Sequence, residues 1–150
     1  MKWVLKKFEE LSVDEFHEIL KLRINIFVVE QNCPYPELDN KDKDALHFFA
    51  VFEENPLKVV AYTRLFAPGD YYNFAAIGRV VVDKNFRGKM LGHELIKRSI
   101  SEIETLFKTK IIKIGAQTYL KKFYESHGFN QIGEGYLEDG IPHIHMIKEE

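Results

Sequence analysis

Cysteine is nearly missing from this chain. Cys33 stands alone among 150 residues, which excludes an internal disulfide and, with no neighbouring thiol ligand, argues against a structural zinc site; a reducing, cytosolic setting is the expectation. Long apolar runs are missing too. The opening MKWVLKKFEEL interrupts its hydrophobic residues with Lys and Glu, so it has no signal-peptide core. No later stretch could span a bilayer, and the chain reads as a soluble cytoplasmic protein without a membrane partner. An excess of one charge is the third absence. Lys and Arg number 21 against 23 Asp and Glu, a formal net charge of -2, so no global positive field exists to draw nucleic acid or anionic lipid. Any anion site has to be local.

What is present suits a folded core. Apolar residues make up 45% of the chain, with 12 Phe and 7 Tyr for bulk, and charged residues 29%, an ordinary soluble composition for one domain spanning residues 1–150. No internal repeat, linker or low-complexity tract divides it. A two-fold dimer is the commonest assembly for such a chain.

Residues 3–8 alternate loosely as a first strand, and Ser12 to Glu15 then have the S-x-x-E form of a capping box that starts a helix. Phe16, Ile19, Leu20, Ile24 and Phe27 continue that helix on one apolar stripe, with Arg23 close to it. The stretch 31–44, with Pro34, Pro36 and a run of acids and amides, sustains neither helix nor central strand and reads as a long loop of the kind that lines sites. His47–Phe52 and Val59–Phe66 read as an antiparallel pair around a turn at 53–56. A strand over Phe74–Val82, a helix over Met90–Phe107, a strand over Ile111–Ala116 and a short helix over Tyr119–His127 closed by Gly128 follow. Phe129–Ile132 and Ile141–Ile147 supply the last strands.

The informative stretch is VVVDKNFRGKMLGHELI, residues 80–96. A β-branched strand runs through an Arg-Gly turn straight into an amphipathic helix. At such a helix start several amide N–H groups lack partners and the macrodipole is positive, so a phosphate can be held by backbone alone. Gly88 and Gly92 permit close approach, and Arg87 and Lys89 add charge. A turn glycine and a solvated arginine are the plain alternative. The stretch has neither the G-x-x-x-x-G-K-[ST] of a Walker A loop nor G-x-G-x-x-G, so the common nucleotide-binding readings fall away.

R-G-K-M-L-G resembles motif A, [QR]-x-x-G-x-[GA], of the GNAT superfamily of N-acetyltransferases, with Arg87 and Gly92 at its outer positions and Met90 in place of the middle glycine. A second match follows in order: G-A-Q-T-Y-L-K-K-F-Y-E-S-H-G-F resembles motif B, a short helix ending in Tyr-x-x-x-Gly-Phe. RINIFVVEQNCPY, IGRVVV, GAQTYL and EDGIPHIHM resemble the ElaA-like branch over nearly the whole chain. The resemblance implies an α/β (α+β) GNAT fold. Its mixed, mostly antiparallel central sheet has six to seven strands flanked by helices, with splayed strands at the acyl-CoA site. It implies an enzyme that moves an acetyl group from acetyl-CoA to the primary amine of a small molecule or peptide, with no metal. Cofactor contacts fall by resemblance on the backbone of Val80, Val81 and Val82, on Arg87, Gly88, Lys89, Met90, Leu91 and Gly92, and on Gln117 for the pantetheine arm. Tyr124 falls where the family places a general acid. Thioester aminolysis expels a thiolate, which a tyrosine hydroxyl can protonate; an aromatic anchor for the short helix is the alternative.

The acceptor half needs a base if the amine arrives as an ammonium. Glu30, Glu138, Asp139, His143 and His145 are the candidates, with Glu30 and His143 foremost. Glu30 follows Phe27-Val28-Val29, so it is either a partly buried carboxylate of raised pKa or a helix-end surface acid. His143 and His145 alternate and on a strand face one side. Arg23, Phe27, Asp39, Asp42 and Arg64 also resemble the N-terminal pattern of acyl-homoserine-lactone synthases, and an ion-pair network tying down the 31–44 loop is the preferred reading of them. Two other functions compete with transfer: a non-catalytic acyl-CoA sensor or regulatory module, and an interaction domain that binds no CoA.

Overall fold

The capping box closes as the sequence predicts. In the computed structural model, which describes residues 1–54 and 57–150, Ser12 Oγ accepts from the Glu15 amide at 3.0 Å and the Glu15 carboxylate accepts from the Ser12 amide at 2.9 Å. Helix α1 (Val13–Ile24) starts there and buries Ile19, Leu22 and Arg23. It then widens into one π-helical stretch, Asn25–Glu30, before the long loop. Among the described residues no helix is long and apolar enough to cross a membrane.

Seven strands form one sheet: β1 (Lys2–Lys7), β2 (Leu46–Phe52), β3 (Lys58–Phe66), β4 (Ala75–Val82), β5 (Ile112–Gln117), β6 (Asn130–Glu138) and β7 (Ile141–Lys148), in the order β1-β2-β3-β4-β5-β7-β6. Helix α2 (Leu91–Phe107) makes the crossover between the parallel neighbours β4 and β5, and the short α3 (Lys121–Glu125) follows β5. Every other pairing is antiparallel. The predicted elements are all present. The predicted turn at 53–56 falls partly on residues 55 and 56, outside the described residues. The sixth strand is longer than predicted, because its pairing with β7 is interrupted between Ile132 and Tyr136 and then resumes.

Two apolar layers cover the sheet. α2 lays Leu91, Leu95, Ile96 and Ile103 against Leu65, Ile77, Ile112, Ile114 and Met146, while α1 packs Ile19 and Leu22 on Phe49, Tyr62 and Val81. Each such fully buried side chain contributes about 1.5–3 kcal/mol of transfer free energy.

Between β3 and β4 the register slips. Tyr62 lies opposite Val81 and Arg64 opposite Gly78, so Thr63 of β3 faces two residues of β4, Arg79 and Val80, and Arg79 in the bulge adopts φ +50°. A bulge bends its strand. β4 accordingly pairs with β5 only at Ala75 and Ala76, and the remainder of the two strands splays apart.

The loop after α1 is pinned by charge. Arg23, wholly buried, donates from Nε to Glu37 at 2.6 Å and from Nη1 to Asp42 at 2.8 Å. Arg64 spans Asp39 at 2.8 Å and Asp42 at 3.0 Å, and Arg79 donates from Nε to Glu37 at 3.0 Å. Three guanidinium groups thus meet three carboxylates. Arg23 lies inside the core rather than beside the stripe. His47 completes the cluster: its Nε2 donates to the Asp42 carbonyl at 2.9 Å and its Nδ1 accepts from the Tyr62 hydroxyl at 2.6 Å, and burial holds its pKa below the ordinary value.

Breaking this network from one side leaves a buried charge unpaired. Asp42→Ala should therefore cost about 3–5 kcal/mol, read in urea unfolding followed by Trp3 fluorescence; a loss under about 1 kcal/mol would contradict a closed network. Burial alone would raise the Asp39 pKa, but the hydrogen bond and charge of Arg64, with Arg79 beyond, hold it at about 2. A carboxylate depressed in the folded state stabilises above its unfolded pKa of about 3.9 and loses that contribution as pH falls through the folded value. Asp39→Asn should lower stability at pH 6 and flatten the dependence between pH about 4 and about 2.

Candidate active site

Where β4 and β5 part, a cleft of ≈ 650 Å³ opens. Its floor is Val80 to Val82 on one side and Gly115 to Gln117 on the other. Its walls come from the π-helical stretch (Ile26, Phe27, Glu30), the long loop (Cys33, Tyr35), the start of α2 (Arg87, Gly92), α3 (Phe123, Tyr124) and the β6–β7 hairpin (Glu138, Asp139, His143). Of the residues the sequence singled out, Val80, Val81, Val82, Arg87, Gly92, Gln117, Tyr124, Glu30 and His143 all line this one space. Gly88, Lys89, Met90 and Leu91 do not: Leu91 is buried in the α2 core, and the Lys89 ammonium lies over the Phe86 ring at 5.7 Å.

The start of α2 is built open. Met90 occupies the cap position with φ +63°, no side chain caps the helix, and the first turn closes only with the Glu94 amide on the Met90 carbonyl at 3.1 Å. The amides of Leu91, Gly92 and His93 therefore have no partner within the helix. Gly88, at φ +77°, supplies the preceding turn. Met90 takes the left-handed conformation natural to the glycine that the motif carries at this position, and its side chain is 69% exposed. The backbone shape is kept at the expense of strain, and the side chain stays out of the cleft.

Arg87 and Glu30, read separately in the sequence, meet in space. Arg87 donates from Nη1 and Nη2 to the two Glu30 oxygens at 3.0 and 2.7 Å. That hydrogen bond, followed by the charge of Arg87, holds the Glu30 carboxyl below its ordinary pKa. Of the two readings of Glu30, this is the helix-end surface acid: it faces a guanidinium, not an apolar pocket. Beside it, the Gln31 and Gln117 amides bond reciprocally, at 3.2 and 3.5 Å. The segment after α1 is thereby stitched across the cleft twice.

At the inner end Tyr124 is buried between Phe123 and Phe129, with ring centroids 5.1 and 6.0 Å away. Burial raises its pKa, so the hydroxyl keeps its proton. His143 faces the cleft from β7. Its Nδ1 must donate, because the partner at 2.8 Å is the Ile141 carbonyl, so in the neutral ring the free lone pair is on Nε2, 3.4 Å from Glu138 Oε2. Tyr136 stacks on both His143 and His145, with centroids 5.8 and 4.6 Å away. Burial, and then Lys113, lower the His145 pKa. Asp139 serves the hairpin turn: it has φ +51°, is followed by Gly140 at φ +78°, and its carbonyl accepts from Cys33 Sγ at 3.5 Å. Arg79, Glu37, Gln31 and Tyr136 were missed in the sequence. Gly78-Arg79 inside an apolar strand signalled the bulge, and Asp139-Gly140 the hairpin turn.

A bulged fourth strand, a parallel pair that splays, and an uncapped helix start facing the gap define the GNAT class of acetyltransferase fold. The chain belongs to that family: the Acetyltransferase (GNAT) domain profile matches residues 27–150. Within it the chain falls in the ElaA-like branch, since protein ElaA of Escherichia coli (strain K12) is 37% identical over 149 residues, 99% of this chain and 97% of that protein. The crystal structure of an acyl-CoA N-acyltransferase from Pseudomonas aeruginosa matches at TM-score 0.91 and 37% identity, covering 99% of both chains. That of Escherichia coli ElaA matches at TM-score 0.88 and 36% identity, over 99% of this chain and all of the other.

A left-handed non-glycine residue costs about 1–2 kcal/mol, and glycine at that position gives back about 0.5–1 kcal/mol in chain entropy. Met90→Gly should thus leave the melting temperature unchanged or raise it, where a glycine in a helix interior would lower it. A clear loss of stability would show that the Met90 side chain holds the turn.

Proposed function

We propose that this chain is an acetyl-CoA-dependent N-acetyltransferase acting on the primary amine of a small molecule or peptide terminus. The observation that carries the reading is the single cleft joining free helix-start amides at one end to Tyr124 and His143 at the other. A cytoplasmic setting, where free amines and acyl-CoA coexist, suits it.

The donor supplies a thioester, whose carbonyl the amine attacks. The uncapped amides after Met90 suit the pyrophosphate, with Gly88 shaping the approach and Arg87 adding charge. The exposed Glu30–Arg87 pair is worth at most about 1 kcal/mol, so an arriving phosphate can take Arg87 from Glu30. Gln117, leaving Gln31, has an amide to offer the pantetheine arm. The splayed backbone of Val80 to Val82 lacks sheet partners on the β5 side, which suits the same arm.

His143 is the base this geometry favours over Glu30. His143 lines the cleft, its Nε2 carries the lone pair of the neutral ring, and Glu138, 3.4 Å away, stabilises the imidazolium formed when the amine loses a proton. As the C–N bond forms and the C–S bond breaks, Tyr124 donates its proton to the departing sulfur. Burial keeps that proton on Tyr124 until negative charge develops on the sulfur.

Tyr124→Phe should lower kcat by about 10²-fold while leaving the melting-temperature rise given by CoA intact. Glu30→Gln should keep kcat and tighten CoA binding, because Arg87 is freed. A kcat loss of about 10²-fold in that variant would instead make Glu30 the base. CoA binding without thiol release against any amine would support the sensor reading.

A further inference from the structure

A smaller pocket of ≈ 60 Å³ branches from the cleft on the face opposite α2, and the two share Tyr71, Gly78, Arg79, Gly115 and Glu138. It is walled by Arg64, Tyr72 and Tyr136. Its size admits a group of a few heavy atoms and no more.

Its polar groups are nearly all donors. A Cβ at Gly115 would lie 2.9 Å from the Tyr136 hydroxyl and 3.3 Å from the Tyr72 hydroxyl, so both hydroxyls converge over this glycine. Neither makes a side-chain hydrogen bond among the described residues. Burial raises both pKa values, so both keep their protons. Behind them, Arg64 Nε is buried without a partner, on the Gly78 side, 3.8 Å from where a Cβ would stand. The Lys113 ammonium lies over the Tyr72 ring at 4.6 Å. The network carboxylates Glu37 and Asp39 are engaged by arginines, which leaves Glu138, 3.4 Å from His143 Nε2, as the pocket acid held by no arginine among the described residues.

Resting on the amine-acetylation reading above, we propose that this pocket takes the carboxylate of the acceptor, which makes the acceptor an amino acid. Its ammonium meets Glu138 and loses a proton to His143 Nε2. Its carboxylate sits between the Tyr72 and Tyr136 hydroxyls under the field of Arg64, Arg79 and Lys113. A diamine fits less well, because its second ammonium would meet those cations and no free carboxylate. A peptide amine would present a neutral amide to the same donors.

The test uses the intact chain with acetyl-CoA and matched triplets: alanine, leucine, phenylalanine and lysine, each beside its carboxamide and its decarboxylated amine. Thiol release should favour at least one acid over both of its partners by about tenfold or more in kcat/KM. Tyr72→Phe and Tyr136→Phe should raise KM for that acid about fivefold or more, and by clearly less for the decarboxylated amine. With CoA saturating, the favoured acid should add a further melting-temperature shift in the wild type that Gly115→Ala abolishes, since the new Cβ displaces both hydroxyls.

Equal use of acid, amide and amine, or tyrosine variants that change nothing, would overturn the carboxylate site while leaving the transferase reading intact. If no compound releases thiol, the binding arm decides: an added shift lost in Gly115→Ala upholds the site, and no added shift overturns it. Failure of CoA itself to raise the melting temperature would strike the cofactor reading, a separate result.

Discussion

The buried meeting of Arg23, Arg64 and Arg79 with Glu37, Asp39 and Asp42 is the constraint on which the rest of this structure depends. Arg23, Glu37, Asp42 and Arg64 are buried, with Asp39 and Arg79 partly exposed; burying charge is expensive, and such a cluster is rarely the most stabilising use of a core. What it does supply is position. The acids all belong to the loop between α1 and β2, which has little regular structure of its own, and the arginines belong to α1, β3 and β4. The loop therefore cannot move without exposing a charge, and the cleft wall it forms is as fixed as the sheet.

The same cluster accounts for the opening of the sheet. Arg79 sits in a bulge at φ +50°, a conformation that costs a non-glycine residue about 1–2 kcal/mol. Its guanidinium is held by Glu37 and reaches toward Asp39 at 3.5 Å, so leaving the strained conformation would mean giving up ion pairs of the network. Straightening β4 would restore its pairing with β5 and close the cleft. The strain, the bulge and the cleft are thus one feature seen at three scales.

Most of the fold was legible because it was written in local patterns. Ser12 and Glu15 announced α1, the apolar spacing of Leu91, Leu95, Ile96 and Ile103 announced α2, and the order of strand, Arg-Gly turn and helix marked the open start of α2. Arg23, Asp39, Asp42 and Arg64 were picked out by a family resemblance rather than a local pattern, and the ion-pair network preferred for them is present. Glu37 and Arg79 were not legible, because Gly78-Arg79 marks an irregular strand but not which acid of the loop the slip brings to Arg79. The two readings of Glu30 stayed open in the sequence because its partner Arg87 lies far along the chain. Pairing across the cleft is a tertiary fact, and it reverses the sign that local apolar neighbours suggest.

The molecule uses ion pairs in two opposed ways, and burial decides which. Arg23 and Asp42 are shut off from water, so separating them leaves charges without solvent, and the contact is permanent. Arg87 and Glu30 are roughly half exposed, so water and salt can replace either partner and the contact is worth about as much as thermal energy. A site that must admit an anionic ligand needs its arginine available yet kept in place beforehand. A bidentate surface partner suits the proposed role: it orients the guanidinium and is weak enough to give way to a more highly charged anion. Had Arg87 been paired as Arg23 is, a phosphate could not have displaced its partner.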